Sequence, residues 1–216
     1  MQETIKRGLF ITFEGIEGCG KSTQSKALAD YFSANNIPFV ATREPGGTLI
    51  SEKIRDILLD VENTEMNPET ELLLYMASRS QHTKEIIIPA LEAGKHVICD
   101  RYYDSTLAYQ GAARDLDSKF IDLLIDFATY ATSPDITFLL DITLEESQHR
   151  MRDRNKDRIE QEAKEFHQKV RAEFLNLAIK YNNRFVIING SQEPEMILNQ
   201  IKSEIQQKLD GKNETK

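Results

Sequence analysis

Tryptophan is absent from this 216-residue chain, and only two cysteines, Cys19 and Cys99, occur in it. Neither has neighbours at metal-ligand spacing, and two thiols are too few for the disulfide framework of a small secreted domain. The four histidines, His82, His96, His149 and His167, show no metal spacing either, and no G-x-S-x-G nucleophile elbow occurs. Long apolar runs are missing, so no segment reads as a membrane span. The first apolar run, Leu9-Phe10-Ile11-Thr12-Phe13, is short and closed by Glu14, which argues against a secretory leader. Without secretion, the sequons at Asn189 and Asn213 carry no meaning, and a cytoplasmic location is expected. Positive charge is in deficit: 27 Lys and Arg stand against 35 Asp and Glu, a net charge of −8. Such a field favours neither nucleic acid nor an anionic membrane. An anionic ligand must be met by local clusters of cations.

The composition, 40% hydrophobic and 29% charged, is that of a folded globular chain. The length suits one α/β domain with a full core. Five short apolar or β-branched runs read as buried strands: Leu9–Phe13, Phe39–Thr42, His96–Cys99, Ile136–Asp141 and Arg184–Ile188. Helical periodicity fills the segments between, including Ser22–Phe32 and most of Glu71–Leu91, where Pro89 must interrupt a turn. Strands alternating with helices predict a five-stranded parallel sheet covered on both faces, a three-layer α/β/α domain. Breakers mark the joints at Pro38, Pro45-Gly46-Gly47, Gly94, Pro134 and Gly190, and a polar tail at 211–216 is expected to fray.

Gly15-Ile16-Glu17-Gly18-Cys19-Gly20-Lys21-Ser22 fits G-x-x-x-x-G-K-[ST]. It lies between the first strand and a helix that continues through Thr23, the context that gives the pattern physical content. Glycines let backbone N–H groups crowd phosphate oxygens, and the helix adds its positive end. Lys21 would reach the β- and γ-phosphates of ATP, and the Ser22 hydroxyl would help to hold Mg²⁺. The run Val97-Ile98-Cys99-Asp100-Arg101 ends a strand in an acid where parallel sheets bind ligands; Asp100 suits Mg²⁺, and Arg101 a transferring phosphate.

Three further segments admit two readings each. Thr42-Arg43-Glu44-Pro45-Gly46-Gly47-Thr48 is either a plain strand-to-helix turn, capped by Thr48 or Ser51, or a substrate-lining loop; Arg55 follows within the next helix. Tyr75 and Arg79, four apart, share a helix face: the pair suits a planar base, or is a half-buried tyrosine crossed by an arginine. The stretch His149–Arg158, read as helix, aligns Arg150, Arg154 and Arg158 on one face, with Arg152 between. It is a solvated charged helix or a basic lid over ATP. Asn155-Lys156-Asp157-Arg158 misses the guanine-reading N-K-x-D, so a nucleotide-switch module is disfavoured.

Together these residues resemble the thymidylate kinase family over nearly the whole chain. Asp100-Arg101-Tyr102-Tyr103-Asp104-Ser105-Thr106-Leu107-Ala108-Tyr109-Gln110 is the most specific match, and Thr42–Thr48 and Tyr75–Arg79 agree in type and order. The resemblance implies a P-loop fold of the nucleoside monophosphate kinase type, and transfer of the γ-phosphate of ATP to dTMP with Mg²⁺. It implies that Glu17 contacts the sugar 3′-OH, Tyr75 stacks on thymine and Arg79 donates to O4. Thr106 and Gln110 fall near the base edge, Tyr109 crowds the sugar 2′ position, and Arg43 and Arg55 grip the acceptor phosphate; Pro45, Arg101 and Ser105 are also expected among the substrate-binding residues. With Gly18 after Glu17 the loop offers no arginine, so the catalytic cation is expected among Arg150, Arg152, Arg154 and Arg158, in a lid spanning about 148–160. A homodimer is also implied. Another nucleoside monophosphate or deoxynucleoside kinase is the alternative.

Overall fold

The computed structural model describes residues 7–214, except for the side chains of 211–214. Five strands, β1 (Phe10–Glu14), β2 (Phe39–Arg43), β3 (His96–Asp100), β4 (Ile136–Asp141) and β5 (Phe185–Asn189), form one sheet in the order β2-β3-β1-β4-β5. Every pairing is parallel, with Phe10 opposite Val97 and Ile11 opposite Ile136 on the two sides of β1. All five residues of β1 are buried, as a central strand covered on both faces requires. Alternation then sorts its side chains. Phe10 joins Ile87, Ala90, Leu91, Val97, Cys99 and Tyr102 in one cluster, whereas Ile11 and Phe13 join Leu28, Phe32, Ile98 and Phe138 in another. The polar Thr12 is buried at no cost in pairing, because its hydroxyl meets that of Thr137 across β1 and β4 at 2.8 Å.

The helices are α1 (Lys21–Ala34), α2 (Leu49–Leu59), α3 (Pro68–His82), α4 (Ile88–Glu92), α5 (Tyr103–Thr106), α6 (Ser118–Thr129), α7 (Leu144–Arg150), α8 (Lys164–Lys180) and α9 (Pro194–Glu214). Thr48 caps α2 by accepting from the Ser51 N–H at 3.1 Å, the local role the sequence allowed it. Between α3 and α4 the chain widens into a π-helical stretch, Thr83–Ile87, just ahead of Pro89, whose nitrogen cannot donate. A second π-helical stretch, Leu107–Ala113, follows α5 and carries Tyr109 and Gln110. Helix α9 continues through Glu214, so the expected tail is helical over 211–214; its remainder, 215–216, lies outside the described residues.

One expectation is corrected. Residues 150–158 do not form a helix: α7 ends at Arg150, and turns and irregular chain lead to α8. Met151 and Ile159 are buried there, and the charges between them spread over several directions instead of one helical face. Among the described residues no helix is long and apolar enough to cross a membrane.

Candidate active site

The sheet order reverses direction at β1, and the crevice beyond the carboxyl ends of β1, β2 and β3 is where such sheets bind ligands. A cleft of about 400 Å³ opens there. It is lined by Glu17, Gly18, Gly20, Lys21, Ser22 and Thr23 from the loop and α1, and by Arg43, Pro45 and Arg55 from β2 to α2. Tyr75, Arg79, Asp100, Arg101, Ser105, Thr106, Tyr109, Gln110, Arg150 and Arg154 also line it, with Tyr102, the acids Glu44, Asp157 and Glu160, and the apolar Leu59, Met151 and Ile159. Gly15, Ile16 and Cys19 form the loop's inner side, Ile16 and Cys19 being buried in the core.

Gly15 lies at φ +136°, and a Cβ there would come within 2.5 Å of Leu140 O, so the strand exit admits glycine alone. Gly18, at φ +73°, faces the root of the 150s segment, with Met151 Cγ 3.2 Å from where a Cβ would stand. Helix α1 starts after Gly20 without any side-chain cap, so its first N–H groups remain available to an anion. Lys21 curls over the loop and donates to the carbonyls of Gly15 at 3.0 Å and Ile16 at 2.9 Å. Ser22 Oγ donates to Asp100 Oδ2 at 2.6 Å, which joins the two residues expected at a metal.

Arg101 occupies the centre of the cleft in a left-handed conformation, φ +70°, uncommon for a residue with a side chain. Its Nη1 donates to Gly15 O and Ser105 Oγ, each at 3.1 Å, and its Nη2 to Glu17 Oε1 at 2.9 Å. Tyr109 hydroxyl donates to the same Glu17 oxygen at 2.6 Å, and the Arg101 guanidinium sits 5.1 Å from the Tyr109 ring centroid. Burial alone would raise the Glu17 pKa, but Arg101, Lys21 and the Tyr109 hydroxyl outweigh it and hold the carboxyl below its usual value. Beneath them Glu14, fully buried, accepts from Tyr102 N at 2.8 Å and Ser105 Oγ at 2.6 Å. Burial, then the charge of Asp104, pushes the Glu14 carboxyl up to about 7.

At the other end, Arg79 is 2% exposed. Its Nε donates to Glu44 Oε2 at 2.7 Å, Nη1 to Thr106 Oγ1 at 2.8 Å and Nη2 to Tyr102 O at 3.1 Å. It lies across Tyr102, 5.4 Å from the ring centroid, so the arginine-over-tyrosine arrangement involves Tyr102. With Met76 Sδ at 3.8 Å as a fourth contact, the five N–H groups of the guanidinium are not exhausted. Glu44 also meets His82 Nδ1 at 2.9 Å, and His82 Nε2 meets Thr42 Oγ1 at 2.6 Å. The Glu44–Pro45 peptide is cis. Arg55 Nη1 donates to Pro45 O at 2.8 Å; burial and then the charge of nearby Arg43 lower its pKa, while Arg43 itself is paired with Glu52 Oε2 at 2.8 Å.

The basic segment divides. Arg150 Nη1 donates to Gly18 O at 3.1 Å and Nη2 to Gly190 O at 2.9 Å, and Ser147 Oγ donates to Glu17 O at 2.7 Å, so α7 is seated on the phosphate-binding loop. Arg154 faces the cleft. Arg152 points away, with its side chain 67% exposed. Arg158 is turned toward Glu71, donating to its Oε2 at 2.7 Å and to Leu58 O at 2.9 Å, and does not line the cleft. Glu14, Glu44, Glu71, His82 and Arg114 escaped the sequence reading, because each acts through partners tens of positions away that no local spacing announces.

A phosphate-binding loop on a five-stranded parallel sheet, with a cation-rich cleft beside it, defines a P-loop kinase of the nucleoside monophosphate type. The particular family follows from three likenesses. Residues 13–201 match the family model described as thymidylate kinase. The thymidylate kinase of Lactobacillus acidophilus is 47% identical over 207 residues, 94% of this chain and 96% of that protein, and the one from Carboxydothermus hydrogenoformans is 48% identical over 91% of this chain and 96% of its own. The crystal structure of thymidylate kinase from Ehrlichia chaffeensis superposes with a TM-score of 0.76 at 36% identity, covering 92% of this chain and 99% of that one. The chain belongs to the thymidylate kinase family.

Proposed function

We propose that this protein transfers the γ-phosphate of ATP to dTMP, giving ADP and dTDP. The observation that carries the reading is the cleft itself. One end is a phosphate-binding loop continuous with α1, the other is a wall of buried Arg79 and Gln110 with half-buried Tyr75, and Arg101 stands between them.

An acceptor phosphate oxygen attacks the γ-phosphorus as the bond to the β-bridging oxygen breaks, and ADP leaves. The second pKa of a phosphate monoester is ~6, so the acceptor is already mostly a dianion at neutral pH. No general base is required, and the difficulty is repulsion between two anions. Lys21, Arg101, Arg150 and Arg154, which line the cleft, would neutralise it, and the sheet edge would supply alignment. Arg152, which does not line the cleft, and Arg158, held by Glu71, are the weaker candidates of the basic segment. Ser22 Oγ and the Asp100 carboxylate offer the hard oxygen donors that Mg²⁺ takes. When bound, Mg²⁺ supplies charge neutralisation at the phosphate oxygens.

On the acceptor side, Arg43 and Arg55 would hold the phosphate, Glu17 and Tyr109 the deoxyribose, and Tyr75, Arg79, Ser105, Thr106 and Gln110 the base. The two neighbouring cations Arg43 and Arg55 on the cleft wall support the phosphate assignment. Closure of 150–160 over the nucleotide would exclude water and limit hydrolysis. A cytoplasmic homodimer completes the proposal. Leu49, Leu73, Phe120, Leu123 and Phe127, on α2, α3 and α6, are all more than half exposed and form the apolar surface such a pairing would cover.

The test is ADP release with ATP and Mg²⁺ against dTMP, dUMP, dCMP, dGMP and no acceptor. Turnover highest with dTMP supports the reading. A preference for a purine or cytosine monophosphate, or turnover without acceptor, overturns it. One methyl group separates dTMP from dUMP and is worth only ~1–3 kcal/mol, so some activity with dUMP is expected.

A further inference from the structure

Glu71, in the first turn of α3, is 1% exposed and gathers side chains from three distant parts of the chain. Its Oε1 accepts from Gln110 Nε2 at 2.9 Å and Arg114 Nε at 3.2 Å. Its Oε2 accepts from Arg114 Nη2 at 3.0 Å and Arg158 Nη2 at 2.7 Å. Burial opposes its ionisation, but the donors from Arg114, Gln110 and Arg158 outweigh burial and hold its pKa below the usual carboxyl value. An ionised carboxylate can only accept hydrogen bonds. Gln110 must therefore turn its amide NH₂ toward Glu71, which leaves the carbonyl Oε1 on the opposite side of the amide. Gln110 lines the cleft, and Arg158 closes the segment that brings Arg150 and Arg154 to it.

We infer that Glu71 is a positioning residue that selects the acceptor base by charge pattern: it holds the Gln110 amide with its carbonyl toward the base, and Arg158 ties that orientation to the basic segment. The inference rests on the proposed reading of the Tyr75, Arg79 and Gln110 end as the base pocket. A thymine or uracil ring carries an N–H at N3, which a carbonyl accepts. Cytosine presents a bare lone pair at N3, which a fixed carbonyl repels. The neighbouring Arg79 guanidinium acts in the same sense, favouring the O4 carbonyl over the amino group of cytosine. Arg114 keeps the cluster balanced, since its Nη2 also reaches Glu162 Oε1 at 2.6 Å. With an uncharged amide in place of the carboxylate, either face of Gln110 can be bonded and the orientation is no longer dictated.

The experiment compares kcat and KM for dTMP and dCMP, at saturating ATP and Mg²⁺, in the full chain and in Glu71→Gln, Arg158→Met and Gln110→Leu, each checked by thermal melting. Glu71→Gln is expected to lower the dTMP-to-dCMP ratio of kcat/KM by at least ~10-fold, mainly through a higher KM for dTMP. Arg158→Met, which keeps the Glu71–Gln110 bond, shifts the ratio in the same direction by a smaller factor. Equal loss toward both acceptors, with the ratio unchanged in both variants, means that Glu71 is merely structural and overturns the inference. Should Glu71→Gln not fold, Glu71→Asp, whose shorter side chain withdraws the carboxylate from the Gln110 amide, takes its place, and an unchanged ratio there has the same force. If Gln110→Leu also leaves the ratio unchanged, the base-pocket reading falls with the inference. If Gln110→Leu alone collapses it, only the role of Glu71 falls.

Discussion

Replacing Arg101 with alanine removes a cation that touches the phosphate-binding loop, Glu17 and Ser105 together. The magnitude can be worked from these contacts. Preorganised donors aimed at developing charge are each worth ~10²–10³ in kcat, and Arg101 presents two nitrogens into the cleft. Its contacts to Gly15 and Glu17 are ground-state anchors, so part of that effect goes to placing the guanidinium and not to the reaction. A loss of ~10³ in kcat, about 4 kcal/mol, is the expected outcome. There is a stability cost as well. The Arg101–Glu17 pair is only 17% and 14% exposed, so removing the guanidinium leaves Glu17 short of counter-charge, and the cost is ~2–3 kcal/mol, between that of a surface pair and a fully buried one. The left-handed backbone adds nothing, since arginine and alanine are strained alike at φ +70°. The assay is ADP release at saturating ATP and dTMP, paired with a thermal melt. Arg101→Lys should recover only part of the rate, because one ammonium cannot span Gly15 and Glu17 as two nitrogens do. A kcat for Arg101→Ala within tenfold of wild type, with a native-like melt, would refute the reasoning.

Two further outcomes follow from the same geometry. The Glu14 carboxyl is raised from 4.5 to about 7 in the fold, so the folded state binds its proton more tightly than the unfolded chain. The corresponding stability is fully present below about 4.5 and is lost as pH rises through about 7, a change of ~3 kcal/mol. Glu14→Gln, uncharged throughout, is therefore expected to gain melting temperature relative to wild type between pH 5 and 8, and parallel melting curves would show that Glu14 does not titrate there. Phe127 is 79% exposed on α6, amid the apolar surface assigned to pairing. Sedimentation of wild type should give twice the 24.8 kDa chain mass and Phe127→Glu the single mass, whereas a wild-type monomer at micromolar concentration would remove the dimer.

The five strands were legible because each is a short apolar run stopped by glycine, proline or an acid, and the observed bounds differ from the sequence reading by at most one residue at each end. The loop was legible because phosphate chemistry confines it to eight consecutive residues. The basic segment was not. Charges at Arg150, Arg154 and Arg158 fit helical spacing, but spacing of charges specifies no burial, and the two apolar residues that do bury, Met151 and Ile159, are eight positions apart. The π-helical stretches were invisible for a related reason: no residue in Leu107–Ala113 distinguishes that hydrogen-bond pattern from an α-helix. Glu71 was missed because its donors stand 39, 43 and 87 positions away and only the folded sheet brings them together.

The central claim is tested most directly by following the phosphate itself. With ATP labelled at the γ-position, Mg²⁺ and dTMP, the account predicts that label leaves ATP and appears in dTDP in equal amount, with no free inorganic phosphate. Label recovered as inorganic phosphate, with dTMP unchanged, would contradict it.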